Sequence, residues 1–469
     1  MTDINSQACY QFVKRACDSS RVDPTRPGFH FTPPAMWMND PNGALEIDGW
    51  RHIFYLHDPF SADGKSAATL PDGRIISGDK KPNRVWGHTK TRDFVNWIHY
   101  PPALVPNREA GELKSISGSS ILLPDGTPVI MYTSMADDFS CCQRIAVSKC
   151  GMDSFQPLMQ PAITQKMRGS QKMDNEFRDP FLLKHNNIYY AIVAAQMERT
   201  NGKYSVLALY RAEDKLLTQW QYQGILLERP ATEIPYFECP KFFMLNSKWV
   251  LIFSPYGPPR YFVGELDLHN CMFSVEFEGY VDHTPYAYAT TSLQTESGET
   301  YLLSWIPGWN KECYVSRQWG GCLSIPHKLN LSSKLELIQT PASELDTLQF
   351  GAREATQGML LRQNLGWKME IKALEDVGSI YLTDQAASPV WEMHWNGKTL
   401  CVNGISTVFS GKGNVILYVD RTIWELFAED GLCCFSGILP ACGQLGIHYS
   451  GCGTVPVLWN VQNINISFI

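Results

Sequence analysis

The chain has 469 residues, 44% of them hydrophobic and 19% charged, and its formal net charge is −7. A chain of this length and composition can bury one or two substantial hydrophobic cores. It contains no block of basic residues, so we expect no nucleic-acid partner. No apolar run approaches the roughly 20 residues that span a membrane, so we expect no membrane contact.

Residues 1–25 are predicted to form a short helical or irregular lead-in, with Tyr10, Phe12 and Val13 as candidate packing residues. The segment lacks the basic start and apolar core of a secretory signal, which predicts a cytoplasmic protein. A secreted protein trimmed of its signal would give the same sequence. The 14 cysteines are scattered, and this favours buried free thiols in a reducing compartment over disulfides.

Short runs rich in β-branched and aromatic residues, such as residues 51–56 and 249–253, alternate with Asn-Gly, Asp-Gly and Pro signals. This spacing predicts an all-β protein, either a sandwich or a propeller, and the repeated turn–strand units favour blades around an axis. Residues 340–350 have helix-start character and are predicted to link two domains. We therefore expect a propeller over residues 26–339 and a β-sandwich over residues 351–469.

The first chemical signal is the segment 37–43, in which Asp40 lies between two asparagines and is followed by Pro41 and Gly43. This composition is also typical of a plain turn, because Asn, Asp and Gly accept unusual backbone angles. In the functional interpretation, the preceding strand delivers Asp40 to a pocket where Asn and backbone N–H groups keep its carboxylate ionised. An ionised carboxylate is what a nucleophile at the anomeric carbon of a sugar must be.

Two further carboxylates follow in short motifs. Glu238 lies in an apolar run with Phe237, and apolar surroundings raise the pKa of a carboxyl group, as a proton donor near neutral pH requires. Asp179 directly follows Arg178, and its functional use would be to hold sugar hydroxyls and stabilise positive charge on the ring. Taken alone, each motif is more often a structural ion pair near the end of a strand.

The order and company of these three motifs resemble glycoside hydrolase family 32, the group of invertases, sucrases and fructanases, over nearly the whole chain. Other segments that resemble the family are residues 86–88 with 93–97, 117–119, 319–326 and 420–427. The resemblance implies a five-bladed β-propeller that carries the catalytic site, followed by a C-terminal β-sandwich.

The resemblance also implies roles for individual residues. Asp40 would be the nucleophile, Asp179 the transition-state stabiliser and Glu238 the acid/base. Five residues would bind the sugar: Asn39, Trp86, Ser117, Arg178 and Tyr288. We expect no cofactor and no metal, because the sequence has neither Cys-x-x-Cys nor His-Glu-x-x-His, and residues 64–66 lack the first glycine of a phosphate-binding loop.

The chain departs from the family pattern at positions that the family uses around fructose or its leaving group. Leu56 stands where the family usually has Gln, and Lys81 where it usually has Trp. Residues 61–80 are extra material, and Tyr286 replaces an acidic residue near Asp282. These changes leave open which fructoside is preferred and what the inserted segment does.

The motifs together predict a retaining β-fructofuranosidase that hydrolyses terminal β-D-fructofuranosyl residues of sucrose or short fructo-oligosaccharides by double displacement. One alternative is a fructosyltransferase, which shares every catalytic residue and differs in its contacts to the acceptor. Another is a non-catalytic fructan-binding protein, which would be expected to have lost a carboxylate. The sequence leaves the linkage, the chain length, phosphorylation of the substrate and the oligomeric state open.

Overall fold

The computed structural model describes residues 5–63, 68–69, 75–76, 84–166, 173–308 and 318–469. The lead-in is helical: α1 (Ser6–Arg21) begins at Asn5, whose side chain accepts a hydrogen bond from the Ala8 amide at 2.8 Å. Its buried face includes Tyr10 and Val13, as expected. None of the helices in the described ranges is long and apolar enough to cross a membrane.

The propeller region consists of consecutive strands. Its strands and one short 3-10 helix have these bounds: β1 (Met36–Ile47), β2 (Trp50–Asp58), β3 (Ala68–Thr69), β4 (Ile75–Ile76), β5 (Val85–Thr91), β6 (Asn96–Leu104), the 3-10 helix Arg108–Ala110, β7 (Lys114–Leu122), β8 (Pro128–Met135), β9 (Cys141–Cys150), β10 (Ser154–Pro157), β11 (Met173–His185), β12 (Ile188–Arg199), β13 (Gly202–Ala212), β14 (Trp220–Pro230), β15 (Glu238–Leu245), β16 (Lys248–Ser254), β17 (Arg260–Asp267), β18 (Met272–Tyr280), β19 (Tyr288–Gln294), β20 (Thr300–Ile306), β21 (Trp319–Gly320), β22 (Cys322–Leu323), β23 (His327–Leu331) and β24 (Leu337–Pro341).

Most of these strands form five sheets of antiparallel neighbours that follow one another along the chain, while the short β21 pairs in parallel with β1 and the short β22 pairs with β20. The orders are β1-β2-β5-β6, β7-β8-β9-β10, β11-β12-β13-β14, β15-β16-β17-β18 and β19-β20-β23-β24; β3 and β4 pair only with each other. The first strands of the sheets contact each other in a closed ring, β1–β7–β11–β15–β19–β1. A ring of five described sheets is the arrangement that a five-bladed propeller would have, and its first strands surround the axis.

The C-terminal region is a two-sheet sandwich. Its elements are the 3-10 helix Ser343–Leu348, β25 (Gln349–Glu354), β26 (Met359–Arg362), β27 (Gly366–Ile371), β28 (Leu374–Thr383), β29 (Pro389–Trp395), β30 (Thr399–Val402), β31 (Ile405–Val408), β32 (Val415–Asp420), β33 (Ile423–Ala428), the 3-10 helix Glu429–Gly431, β34 (Cys433–Ile438), β35 (Gln444–Cys452), β36 (Val457–Val461) and β37 (Asn465–Phe468). One sheet has the order β25-β36-β27-β32-β33-β34 and the other β26-β35-β28-β29-β30-β31. Inward-facing residues of both sheets, among them Trp367, Trp391 and Trp424, form one core.

The last strand lies outside the sandwich. β37 pairs in parallel with β6, Ile466 opposite Trp97, and therefore belongs to the first propeller sheet. The Tyr10 hydroxyl donates to the Ile469 carbonyl at 2.7 Å, which ties α1 to the same place. The sequence prediction placed residues up to 469 in the sandwich. The difference arises because the strand edge of β6 offers free backbone groups that the chain end can pair with.

The junction of propeller and sandwich buries both apolar and charged groups. Phe31 and Trp97 on the propeller side share one core with Tyr418 and Phe427 of the sandwich. Beside this core, buried histidines of the propeller region, His30 and His327, pair with buried carboxylates of the sandwich, Asp420 and Glu425. The junction is thus fixed by packing and by matched charge.

Candidate active site

The candidate site forms where the innermost strands are irregular. In β1, β11, β15 and β19, two residues oppose one on the neighbouring strand, and the regular pairing is interrupted after Met38, Arg178, Glu238 and Tyr288. In β7 the interruption falls at Ser117. A bulge bends the strand and re-aims its side chains. Each predicted catalytic or binding residue except Trp86 lies at or beside one of these bulges.

Three of the bulges share an unusual backbone conformation. Asp179, Cys239 and Ala289 have φ angles of 60°, 52° and 49°, the left-handed region that residues with a Cβ seldom adopt. They directly follow Arg178, Glu238 and Tyr288, which are therefore equivalent positions in successive sheets. Such strain is often retained where side-chain direction matters.

Asp40 is held by contacts from two other sheets. The Ser117 hydroxyl donates to its Oδ2 atom at 2.6 Å, and the Cys239 thiol lies 3.7 Å from the same oxygen. Burial raises the pKa of Asp40, and the nearby Asp179 charge adds to this, while the Ser117 hydrogen bond lowers it. The functional interpretation of the sequence has asparagine and backbone N–H groups contact this carboxylate. The structure shows this contact from Ser117 instead, and Asn42 donates to the Asp40 backbone carbonyl at 2.9 Å.

Asp179 lies between Asp40 and the Glu238 strand. Its Oδ2 accepts a hydrogen bond from the Cys239 amide at 3.1 Å, and its own amide donates to the Thr133 hydroxyl at 2.9 Å. Cys239 therefore contacts both aspartates. The carboxyl group of Asp179 is 3% exposed, so few other donors can reach it.

Glu238 has the electrostatic environment of a proton donor. Burial raises its pKa to about 7, and the charges of Asp179 and Asp40 contribute in the same direction. Arg178 donates to its Oε1 at 3.1 Å and the Tyr288 hydroxyl donates to Oε2, and both contacts lower the pKa. The apolar sequence context of Glu238 predicts a shift in the same direction.

Arg178 contacts acidic groups on one side and two tyrosines, Tyr236 and Tyr256, on the other. Its guanidinium lies 3.1 Å from Glu238 and 3.6 Å from Asp179, and 4.2 Å from the ring centre of Tyr236. It also donates to the Tyr256 hydroxyl at 2.5 Å. Cys239 thus links Asp40 to Asp179, and Arg178 links Asp179 to Glu238. The three carboxylates predicted from the sequence are therefore brought together.

The remaining predicted binding residues differ in their exposure. Asn39 is half-buried, and its side-chain oxygen has no hydrogen-bond partner in the described part of the chain. Trp86 is fully buried and donates to the Ile116 carbonyl at 3.1 Å, so it packs behind β7, whereas the sequence argument expected it to line the pocket. Leu56, where the family usually has Gln, belongs to the same apolar cluster as Trp86.

Two residues at the site were missed by the sequence argument. Tyr256 is 55% exposed and lies beside Arg178, where it presents an aromatic face to the opening of the site. Lys241 is 2% exposed, and its ammonium group reaches from β15 to the Gly118 carbonyl on β7 at 3.5 Å. Since β11 lies between these strands in the ring, Lys241 connects two innermost strands that are not neighbours. A signal for it was available: a lysine in an otherwise apolar strand run.

The other departures from the family pattern are Lys81, the insertion at 61–80 and Tyr286. Lys81 and most of the insertion at 61–80 lie outside the described residues. Tyr286, another replaced position, is half-buried in the segment before β19.

Similarity to known proteins identifies the family of this chain. A model of the glycosyl hydrolases family 32 N-terminal domain matches residues 30–70 and 73–341. The chain belongs to glycoside hydrolase family 32. It is therefore a glycoside hydrolase, and the family expected from its carboxylate motifs is confirmed.

Similar proteins cover most of the chain. The sucrose-6-phosphate hydrolase of Zymomonas mobilis is 26% identical over 421 residues, which are 84% of this chain and 75% of that protein. The structure of sucrose-6-phosphate hydrolase from Lactobacillus gasseri has a TM-score of 0.79 at 21% identity and covers 97% of both chains. A mutant of the Bombyx mori GH32 β-fructofuranosidase, solved in complex with sucrose, has a TM-score of 0.77 at 23% identity and covers 99% of this chain and all of that one. The structural likeness confirms the expected fold of propeller and sandwich.

Proposed function

We propose that this protein is a retaining β-fructofuranosidase that hydrolyses sucrose or short fructo-oligosaccharides. The observation that carries the proposal is the environment of Glu238, whose pKa is raised to about 7. Arg178 contacts both Glu238 and Asp179, and Cys239 contacts both Asp179 and Asp40. A glycosidase needs one carboxyl group that holds a proton near neutral pH and a second that attacks.

In the proposed first step, an Asp40 oxygen attacks the anomeric carbon of the terminal fructosyl unit. The bond from this carbon to the leaving oxygen breaks, and the proton of Glu238 passes to that oxygen. In the second step, Glu238 takes a proton from water, and the water oxygen attacks the same carbon. The bond to Asp40 breaks, so fructose leaves with its original configuration and Glu238 is protonated again.

The remaining side chains fit binding roles around this reaction. Asp179, which accepts from the Cys239 amide, would also accept from a fructosyl hydroxyl, and its charge would stabilise the positive charge that develops on the ring. The partnerless oxygen of Asn39 can accept from a second hydroxyl. Tyr256, exposed beside Arg178, is placed to pack on the leaving group.

The names of similar proteins support a sucrose-like substrate. The Zymomonas mobilis relative is a sucrose-6-phosphate hydrolase, and the Bombyx mori protein was solved with sucrose bound. The two names differ in whether the substrate carries a phosphate, and both forms should therefore be tested. No observation in the described residues favours transfer to a sugar acceptor over transfer to water.

The testing experiment incubates the purified protein with sucrose, sucrose 6-phosphate, 1-kestose and inulin, and resolves all products over time by chromatography. Free fructose formed in step with loss of substrate is the expected result, and proton NMR at early times should show the retained anomer. The matched variants are Asp40→Asn, expected to be inactive, and Asp376→Asn, an exposed aspartate of the sandwich, expected to be fully active.

Other outcomes would overturn the proposal. Longer oligosaccharides with glucose in excess of fructose would make the protein a fructosyltransferase. Binding of these sugars without turnover would make it a fructan-binding protein. The inverted anomer at early times would remove the double-displacement mechanism and leave Asp40 as a base.

A further inference from the structure

A second cavity lies away from the candidate active site. Its volume is about 450 Å³, and it opens between the end of α1, the segment before β1, the turn between β32 and β33, and the segment that leads into β37. The lining residues that matter here are Cys17, Arg21, Arg26, Arg421, Asn463 and Asn465. None of the predicted catalytic or sugar-binding residues lines it.

The cavity is strongly cationic. Arg21, Arg26 and Arg421 all line it, and none of them has a carboxylate within 4.0 Å in the described part of the chain. This is unusual for a protein whose net charge is −7. Unpaired positive charges brought together around a partly enclosed space attract an anion.

The carboxylates closest to the cavity are engaged elsewhere. Asp420 accepts hydrogen bonds from the amides of Gly28, Phe29 and His30 and pairs with the His30 ring. Asp23 accepts from the amide and hydroxyl of Thr25. Neither group lies within 4.0 Å of the three guanidinium groups, and the charge of Asp420 offsets that of Arg26 only in part.

Arg26 has unused hydrogen-bonding capacity. Its Nη2 atom donates to the carbonyls of Thr32 and Pro33 at 3.3 and 3.0 Å, but its Nε atom is buried without a partner in the described residues. Burial lowers the pKa of Arg26 to about 10, and the charges of Arg421 and Arg21 contribute in the same direction. A bound anion would relieve this repulsion and could accept from the free N–H groups of the cluster.

We propose that this cavity binds the phosphate group of a small phosphorylated metabolite. Three guanidinium groups more than balance the two negative charges of a phosphate dianion and can donate several N–H groups to its oxygens. A phosphate alone would leave most of the 450 Å³ unfilled. The remaining space, with the amides of Asn463 and Asn465 on its wall, suits a polar body of the size of a monosaccharide.

The ligand would connect separate parts of the fold. The walls come from α1, from the segment ahead of the catalytic strand β1, from the turn between β32 and β33, and from the segment that leads into β37. Binding to the folded protein alone stabilises it by RT ln(1 + [L]/Kd). The proposal therefore predicts that the unfolding temperature rises with ligand concentration and saturates. Calorimetry measures the binding itself as a separate readout.

The test uses the full chain, with inorganic phosphate, glucose 6-phosphate, unphosphorylated glucose and citrate as probes, and sodium chloride at matched ionic strength as the reference. Saturable binding of phosphate and tighter binding of glucose 6-phosphate are expected, with none for glucose. Arg21→Gln should weaken the binding at least tenfold without loss of folding, because no hydrogen bond of Arg21 is found in the described residues. Arg421→Gln should weaken it further.

The matched control is Arg15→Gln, an exposed arginine of the same helix that does not line the cavity. It removes the same charge and should leave the dissociation constant unchanged. Equal effects of chloride and phosphate, or equal losses in the Arg15 and Arg21 variants, would reduce the effect to ionic strength and overturn the proposal. Tighter binding of citrate than of either phosphate would assign the cavity to carboxylates instead.

Discussion

Two regions of this protein bury carboxylates, and they treat them in opposite ways. At the junction of propeller and sandwich, Glu425 lies between two histidines, His30 and His327, each 2.8 Å away. Despite burial, these contacts lower the pKa of Glu425 to about 2. At the candidate active site, burial and neighbouring negative charges raise the pKa of Glu238 to about 7. Burial alone therefore does not decide protonation; the neighbours do.

The difference follows from the balance of charge around each group. At the junction, His30 lies between Asp420 and Glu425 and His327 pairs with Glu425, so each of these four groups has a partner of opposite charge. The active site gathers several carboxylates around Arg178 and the single buried ammonium of Lys241. A matched cluster stabilises one arrangement of the chain, whereas an acidic excess keeps a proton available for chemistry.

Replacement of Asp40 by Asn should have the largest effect. The variant keeps the size of the side chain but removes the attacking oxygen anion, so kcat should fall by on the order of 10⁴-fold or more. The unfolding temperature should stay near that of the unmodified protein, since the group is not part of a matched ion pair. Steady-state kinetics on sucrose with thermal unfolding checks both. A variant with normal turnover would remove Asp40 from the mechanism.

Glu238→Gln should lower kcat/KM by about 10²- to 10⁴-fold, the range expected for loss of a general acid. The unmodified protein should lose activity as pH rises through about 7, because Glu238 must carry its proton to donate it. The variant should show no such decline. The control is Glu233→Gln, an exposed glutamate five positions upstream that should keep both the rate and the pH profile. A decline near pH 7 that persists in the Glu238 variant would assign it to another group.

Glu425→Gln tests the other side of the comparison. It leaves the buried His327 without a carboxylate and His30 with Asp420 alone, so the free energy of unfolding should fall by about 3–5 kcal/mol. Denaturant unfolding at neutral pH measures this. The control is Glu392→Gln, which removes the partner of His394 in an exposed pair and should cost at most about 1 kcal/mol. Equal effects of the two variants would mean that the junction network contributes no more than a surface pair.

The junction should also give stability a defined pH dependence. Burial lowers the pKa of His30, but the hydrogen bonds to Asp420 and Glu425 outweigh this and raise it to about 9, above its ordinary value of 6.5. Its contribution is therefore fully present below pH 6.5 and is lost as pH rises through about 9. Since one pKa unit corresponds to about 1.4 kcal/mol, the contribution of His30 to the free energy of unfolding is about 3 kcal/mol. Unfolding titrations from pH 6 to 10 should show the loss, and His30→Gln should flatten it.

The sequence predicted the acidic groups of the site better than their neighbours. Asp40, Asp179 and Glu238 lie in short local motifs that can be read directly. The contact of Tyr288 with Glu238 depends on their equal positions in successive sheets, which no local pattern reveals. Tyr256 was missed because it lies in a segment rich in Pro and Gly, which resembles an ordinary turn.

The same limit applies to the fold. Alternation of short strands and turns predicts an all-β chain because it reflects local preferences. The pairing of Asn465–Phe468 with β6 joins residues far apart in sequence, and a four-residue strand carries too little pattern to show its partner. Trp86 illustrates the reverse case: its position in a family segment was predicted, but its complete burial depends on packing from three strands. The division into domains around residues 340–350 stays a prediction.

Tyr288→Phe offers the finest test of how neighbours set the proton affinity of Glu238. The Tyr288 hydroxyl donates to the Glu238 carboxylate and so lowers its pKa; removal should raise that pKa. A net hydrogen-bond energy of about 0.5–1.5 kcal/mol corresponds to a shift of the basic limb of kcat/KM by about 0.5–1 pH unit, toward higher pH. Tyr280→Phe, at an exposed tyrosine away from the site, should leave the limb in place. Movement toward lower pH would mean that Tyr288 stabilises the protonated acid, and that Arg178 alone sets its charge.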